Sequence, residues 1–216
     1  MLRDVRDRTD HGDRMAHANR ASDFESALRR ALSTRGSTGL EVEFRLGSKD
    51  PRTGNFAPGV SLPSFERLEK ALETSGSFAE QTPACTTDYY FRGTEGRLEE
   101  PGEWVVKDKV STVDSSDGRV RASAAYEIRR PPLAGANPRG CSFFRKKNRR
   151  SWLWREIPWR VDLTRVQSTE DLDSEDYVYE VEIELVADDV VYSVPLDALL
   201  TSGRGMAEDL SRMCVV

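Results

Sequence analysis

YEVEIELV, residues 179–186, alternates without a break: Glu180, Glu182 and Glu184 fall between Val181, Ile183 and Leu185. Period two is the mark of a β-strand, in which residues i and i+2 share a face about 6.6–7 Å apart. One face of this strand therefore carries three carboxylates and the other carries aliphatic side chains. An outer strand with a wet face would explain the glutamates, and so would a site that holds a cation. One strand does not separate the two, so the question passes to the rest of the chain.

The same pattern returns at GLEVEFRLG, residues 39–47, where Leu40, Val42, Phe44 and Leu46 oppose Glu41, Glu43 and Arg45. Further strands are expected at 86–91, 95–100, 103–111, 119–130, 141–154 and 158–166, separated by turns rich in Gly, Pro, Asp and Ser. With 177–186 that makes eight strands. A helix is expected from Ala21 with Ser22 or Asp23 as its cap, and a second with Ser64 as its cap, running to about Gly76. One or two short helices are expected after Pro195. SKDPRTGNFAPGVSLP (48–63) reads as loop. Mostly sequential strands with short turns predict a mainly β (α+β) fold, an eight-stranded antiparallel β-barrel with a few packing helices.

The bulk properties narrow the chemistry. The 216 residues are 38% hydrophobic and 32% charged, with a formal charge of -5, which suits one domain (21–216) preceded by a flexible arm (1–20). No stretch approaches the roughly 20 apolar residues of a membrane span, so no membrane partner is expected, and the charged N-terminus does not read as a secretory signal. Cys85, Cys141 and Cys214 show neither zinc spacing nor a disulfide framework. A reducing compartment follows. The two histidines, His11 and His17, both lie in the arm, which excludes a Ser-His-Asp triad, a Cys-His pair and a His-rich zinc site elsewhere. Metal chemistry here would use oxygen ligands, which suit Mg2+ or Mn2+.

The charged faces agree from strand to strand. Arg145, Lys147 and Arg149 share one side of 141–154; Arg160, Asp162 and Thr164 share one side of 158–166; Arg119, Arg121 and Glu127 share one side of 119–129. Such a sheet closes in two ways. With apolar faces inward the barrel is filled and its charges are solvated. With charged faces inward the lumen holds many acids and bases, which must be paired and hydrogen-bonded. Periodicity leaves both open.

LEVEFRLG, RKKNRRSW, WRVDLTRV and YEVEIEL, in that order across residues 40–186, resemble the triphosphate tunnel metalloenzymes. The nearest likeness is to the fungal, protozoan and large-DNA-virus branch, the RNA 5′-triphosphatase component of the mRNA capping apparatus. The resemblance implies the second closure, a tunnel with its charges inside. It implies metal-dependent removal of the γ-phosphate from 5′-triphosphate RNA, the first step of cap formation, with Mg2+ or Mn2+ as cofactor. Glu41, Glu43 and Glu184 match the metal-coordinating glutamates. Arg145, Lys147, Arg149 and Arg160 match phosphate-binding bases, and Arg97, Lys107, Lys109 and Arg121 are taken as the remaining tunnel bases. Asp162 and Glu182 match acids that contact metal-bound water or orient the bases, Glu180 is expected against a tunnel base, and Glu127 matches the glutamate that positions the attacking water. Arg45 departs from the ExExK pattern of the wider superfamily. Implied partners are 5′-triphosphate RNA and an mRNA guanylyltransferase, for a monomer or homodimer in the nucleus of a cell or, for a viral protein, the cytoplasm.

Rival readings are an inorganic triphosphatase or NTP phosphohydrolase on the same fold, a filled structural barrel, and a non-catalytic nucleic-acid-binding barrel. The last would use RKKNRR with Phe143, Phe144, Trp152 and Trp154. Trp104, Trp154 and Trp159 are otherwise expected to pack.

Overall fold

The computed structural model describes residues 23–168, 177–186 and 193–214. The expected arm (1–20) and the cap candidate Ser22 lie outside these residues. Among the described residues there are ten strands: β1 (Leu40–Lys49), β2 (Phe56–Pro58), β3 (Phe78–Glu80), β4 (Ala84–Tyr90), β5 (Arg97–Glu99), β6 (Glu103–Asp114), β7 (Val120–Arg130), β8 (Phe143–Trp154), β9 (Trp159–Ser168) and β10 (Val178–Leu185). Eight of them close an antiparallel barrel in the order β10-β9-β8-β4-β5-β6-β7-β1, and β1 pairs with β10 to complete it. The two extra strands, β2 on β1 and β3 on β8, have three residues each. The loop expected over 48–63 therefore contains a short strand.

Three α-helices among the described residues pack on the outside: α1 (23–35), α2 (Leu62–Thr74) and α3 (Leu196–Met213). Val42, Phe44 and Leu46 of β1, Val161 and Leu163 of β9, and Val181 and Ile183 of β10 form one core with Leu28 of α1, Leu68 of α2 and Leu199 and Met206 of α3. The apolar faces thus point outward under the helices, and the charged faces point into the lumen. Of the two closures that periodicity allows, this is the one that needs the helices, since bare strands would leave the apolar faces in water.

Two helix details differ from expectation. The cap of α2 is Ser61, which accepts from the Ser64 backbone N–H, with Pro63 in the first turn. Proline is tolerated there because its missing N–H would have no helical partner. Ser64 instead donates its hydroxyl to the Cys214 carbonyl, joining α2 to the end of α3. The C-terminal segment is one helix of 18 residues rather than two short ones. Tyr126 on β7 pins α1, donating to the carbonyls of Ala31 and Gly36.

α3 lies very close to the barrel at Gly203. A Cβ there would stand 2.5 Å from Trp159 Cζ2 and 2.6 Å from Phe44 Cε2. Those two rings are themselves in edge contact, centroids 5.5 Å apart, and Trp159 donates to Ser202 Oγ at 3.0 Å. Gly203→Ala is expected to lower the urea midpoint, at a cost of about 1–3 kcal/mol from overpacking; an unchanged midpoint would mean that α3 can lift without loss.

Candidate active site

The lumen encloses a cavity of about 280 Å3. Eight bases line it (Arg45, Arg97, Lys107, Arg129, Arg145, Lys147, Arg149 and Arg160), with five acids (Glu41, Glu127, Glu180, Glu182 and Glu184) and Thr164. Period two places these side chains: β1, β10, β9 and β8 each send every second residue inward, and the register Glu43 to Glu184, Glu182 to Asp162 and Ser151 to Asp162 sets neighbouring strands level.

Nearly every charge has an opposite neighbour. Arg45 holds Glu43 on its own strand and Glu182 across the β1–β10 seam, both at 3.0 Å. Arg160 makes two hydrogen bonds to Asp162, 2.8 and 2.9 Å, and a third to Glu184 at 2.6 Å. Arg149 approaches Asp162 at 3.3 Å, and Arg145 donates to Glu180 at 2.6 Å. Lys107 pairs with Glu41. Arg97 is ringed by Asp88 at 3.2 Å, Glu99 at 2.9 Å and Glu127 at 3.4 Å.

Eleven of the residues expected at the site, Glu41, Glu184, Arg97, Lys107, Arg145, Lys147, Arg149, Arg160, Glu127, Glu180 and Glu182, line this cavity. Glu43 and Asp162 are buried just behind it, paired to lining arginines. Lys109 and Arg121 are not at the cavity. They border a second one, of about 460 Å3, farther along β6 and β7. A bulge between Lys109 and Ser111 shifts the pairing of β6 on β7, and Arg121 is taken up by Asp114, 2.6 Å away.

Three charged participants lie outside the set expected from the sequence, the first being Arg45, noted there only as a departure from the ExExK pattern. Asp88, wholly buried on β4, lies between Arg97 and Lys147 and fixes both. It is the lone acid in ACTTDYY, a strand with no charged alternation to flag it. Arg129, on the rim, donates to Glu127 and Glu103, 2.6 Å each. Its place two residues after Glu127 is the signal that could have found it. Of the aromatics in the nucleic-acid-binding alternative, Trp152 is buried in the core and no aromatic lines the cavity.

The carboxylates differ sharply in acidity. Burial pushes Glu184 up to about 7; Arg160 opposes this, while Glu41 and Asp162 add to it. Glu43 is raised too, by burial and by Glu182 and Glu41 against the pull of Arg45. Glu182 moves the other way. Burial would raise it, but Arg45, Arg149, Lys107 and Lys147 together hold it below the usual carboxylate range.

The donor set bears on whether a metal fits. Among the described residues no three acidic, histidine or thiol side chains converge closely enough to hold a metal ion as they stand. Glu41, Glu43 and Glu184 are each turned into an ion pair. Glu43 and Glu184 are nevertheless direct cross-strand partners, with Glu41 two residues along the same face. The pKa values of Glu43 and Glu184 are raised first by burial and then by neighbouring carboxylates, against the pull of Arg45 and Arg160. A hard oxygen set of this kind fits a divalent cation.

Glu184 gives a signed pH effect. Its folded pKa lies above its unfolded value, so its contribution to stability is intact below about pH 4.5 and is lost as pH rises through about 7. The stability of metal-free protein should fall between about pH 5 and pH 8, and Glu184→Gln should remove about 2–3 kcal/mol of that fall. Urea unfolding at the two pH values checks this; an identical pH dependence in the variant would contradict it.

The family model described as mRNA capping enzyme, beta chain, matches residues 105–196, which span most of β6 through β10. The 5′RNA triphosphatase of Paramecium bursaria Chlorella virus 1 is 26% identical over 195 residues, covering 87% of this chain and 96% of the relative. The S. pombe Pct1 RNA triphosphatase, solved also in complex with the Spt5 CTD, shares the fold with a TM-score of 0.63 at 16% identity, over 88% of this chain and 86% of that one. The RNA triphosphatase domain of a trifunctional mimivirus mRNA capping enzyme matches with a TM-score of 0.58 at 14% identity, over 89% and 96%. A family match over β6 to β10, a viral relative aligned over nearly its whole length and a common barrel agree: the chain is similar to the RNA triphosphatases of mRNA capping.

Proposed function

We propose that this protein is a metal-dependent RNA 5′-triphosphatase, removing the γ-phosphate of a 5′-triphosphate RNA end in the first step of cap formation. One observation carries the reading: eight bases and five acids face a cavity of about 280 Å3 whose other lining residue is Thr164. The lining is charged apart from one hydroxyl and holds no aromatic side chain, which suits phosphate oxygens better than a base. The Thr164 hydroxyl is buried with no hydrogen-bond partner among the described residues, which leaves it for a ligand oxygen.

Arg145, Lys147 and Arg149 on β8, with Arg97, grip the phosphate oxygens; arginine can do so through two parallel bonds. Asp88 holds Lys147 and Arg97 in position, so their charge is aimed before substrate arrives and needs little reorganisation. The β–γ anhydride breaks as water attacks the γ-phosphorus in line, and the bond electrons leave with the β-phosphate oxygen, giving a diphosphate end and inorganic phosphate. Glu127, tethered by Arg97 and Arg129, orients that water and accepts its proton. Glu41, Glu43 and Glu184 would hold Mg2+ or Mn2+. A bound divalent ion supplies Lewis-acid neutralisation of charge on the phosphate chain.

The viral relative and the mimivirus domain support mRNA capping as the setting, in which an mRNA guanylyltransferase takes up the diphosphate end. The nucleus is the site of action for a cellular protein and the cytoplasm for a viral one. No described helix is long and apolar enough to cross a membrane. Because the lining reads phosphate alone, free tripolyphosphate is a second substrate that this cavity would accept.

Phosphate release from 5′-triphosphate RNA, with and without Mn2+ or Mg2+, tests the proposal. Release should require the metal, and Lys147→Ala should lower kcat about 10²–10³-fold, the scale of removing one preorganised charge donor. A folded, metal-supplied protein that releases no phosphate from RNA would contradict it.

A further inference from the structure

An enzyme of RNA ends whose tunnel reads only phosphate must distinguish RNA from free tripolyphosphate outside the tunnel. The register orders the lining along its axis. In one direction Glu41 is followed by Arg45, Glu184 by Glu180, Arg149 by Arg145 and Glu127 by Arg121. The acids named for metal and water therefore lie toward one end. Arg45 and Arg145 lie toward the other, which is where the α-phosphate and the nucleoside would emerge.

At that second end the wall has a notch. β5 has three residues and pairs with β6 no farther than Val105; among the described strands, residues 106–114 of β6 pair with β7 alone. On one flank stand Tyr90 and Phe143, direct cross-strand partners with ring centroids 5.6 Å apart, both half-buried. They continue the tunnel face, two residues beyond Asp88 and two before Arg145, and Arg145 hydrogen-bonds the Tyr90 side chain. On the other flank is Lys109, two residues past the tunnel base Lys107. It is exposed, and no described residue forms an ion pair with it. It borders the 460 Å3 cavity with Thr112, Asp114 and Arg121.

We propose that RNA leaves the tunnel through this notch, its 5′-terminal base stacked on the Tyr90–Phe143 pair and the next backbone phosphate held by Lys109. The inference rests on the RNA reading above. Aromatic faces accept any base, so the contact selects for a polynucleotide end and not for a sequence. Arg121 plays the lesser part because Asp114 already neutralises it, and its guanidinium lies over the Phe56 ring at 4.6 Å.

The test compares kcat/KM for 5′-triphosphate RNA and for tripolyphosphate in wild type, Phe143→Ala, Phe143→Leu and Lys109→Ala. Each variant should lose about tenfold on RNA, chiefly through KM, and stay within about twofold of wild type on tripolyphosphate. Lys109→Ala should also flatten the salt dependence of RNA KM by about 0.7 in logarithmic slope, the share of one phosphate contact on a single strand. Wild-type behaviour of Phe143→Leu would assign Phe143 to packing and overturn the stacking platform. Equal losses on both substrates would return these residues to the tunnel and overturn the notch, as would no loss on RNA. A wild type that cleaves tripolyphosphate but no RNA would overturn the RNA reading itself, a result distinct from those of the variants.

Discussion

Arg45 bridges Glu43 on its own strand and Glu182 on the next, and the barrel is closed at that seam. A lumen lined with ionic groups can exist only if each is matched, because an unpaired buried charge costs several kcal/mol. Asp88 and Asp162 illustrate the requirement: each is wholly buried and each lies between two bases. Matching of this kind locks the register. A one-residue slip of any lumen strand would turn its aliphatic side chains into the tunnel and its charges under the helices. Buried ion pairs are nonetheless weak contributors to net stability, since desolvation offsets much of their attraction. Stability comes from the other side of the sheet, where α1, α2 and α3 cover the apolar face.

The same side chains therefore serve two states. In the structure, acids satisfy bases. In the proposed complex, phosphate oxygens replace acids around the bases, and a divalent cation replaces bases around Glu41, Glu43 and Glu184. The opposite shifts of Glu182 and Glu184 mark the boundary between these roles. Glu182 sits among four bases and is held as a carboxylate, suited to orient Arg45 and Arg149. Glu184, two residues on, is raised to about 7 by burial first, with Glu41 and Asp162 adding to it against Arg160.

Much of this is legible in the chain. Period-two alternation marks the long barrel strands, and it sorts their residues into a polar face and an apolar one. Which way the faces point is not legible from period, because an inside-out sheet has the same alternation; the resemblance of LEVEFRLG, WRVDLTRV and YEVEIEL to a known family supplies it. Local geometry accounts for the rest. β2 and β3 are three residues long, too short for alternation to register. Ser61 caps α2 because Pro63 is acceptable inside a first turn, whereas Ser64 merely stands nearer the apolar run. The bulge after Lys109 and the shortness of β5 separate Lys109 and Arg121 from the tunnel bases, and neither feature leaves a mark in the residue pattern. Asp88 is silent in the sequence because a lone acid among threonines and tyrosines carries no period.

The central claim is that the lumen is arranged to hold a polyanion and a divalent cation together. Thermal unfolding of the full chain with tripolyphosphate alone, Mn2+ alone and both tests it most directly, since a ligand that binds only the folded state raises Tm by mass action. The account predicts that the two together raise Tm by more than the sum of their separate effects, because each relieves the charge that the other leaves unmatched. No shift with either, or shifts that merely add, would contradict it.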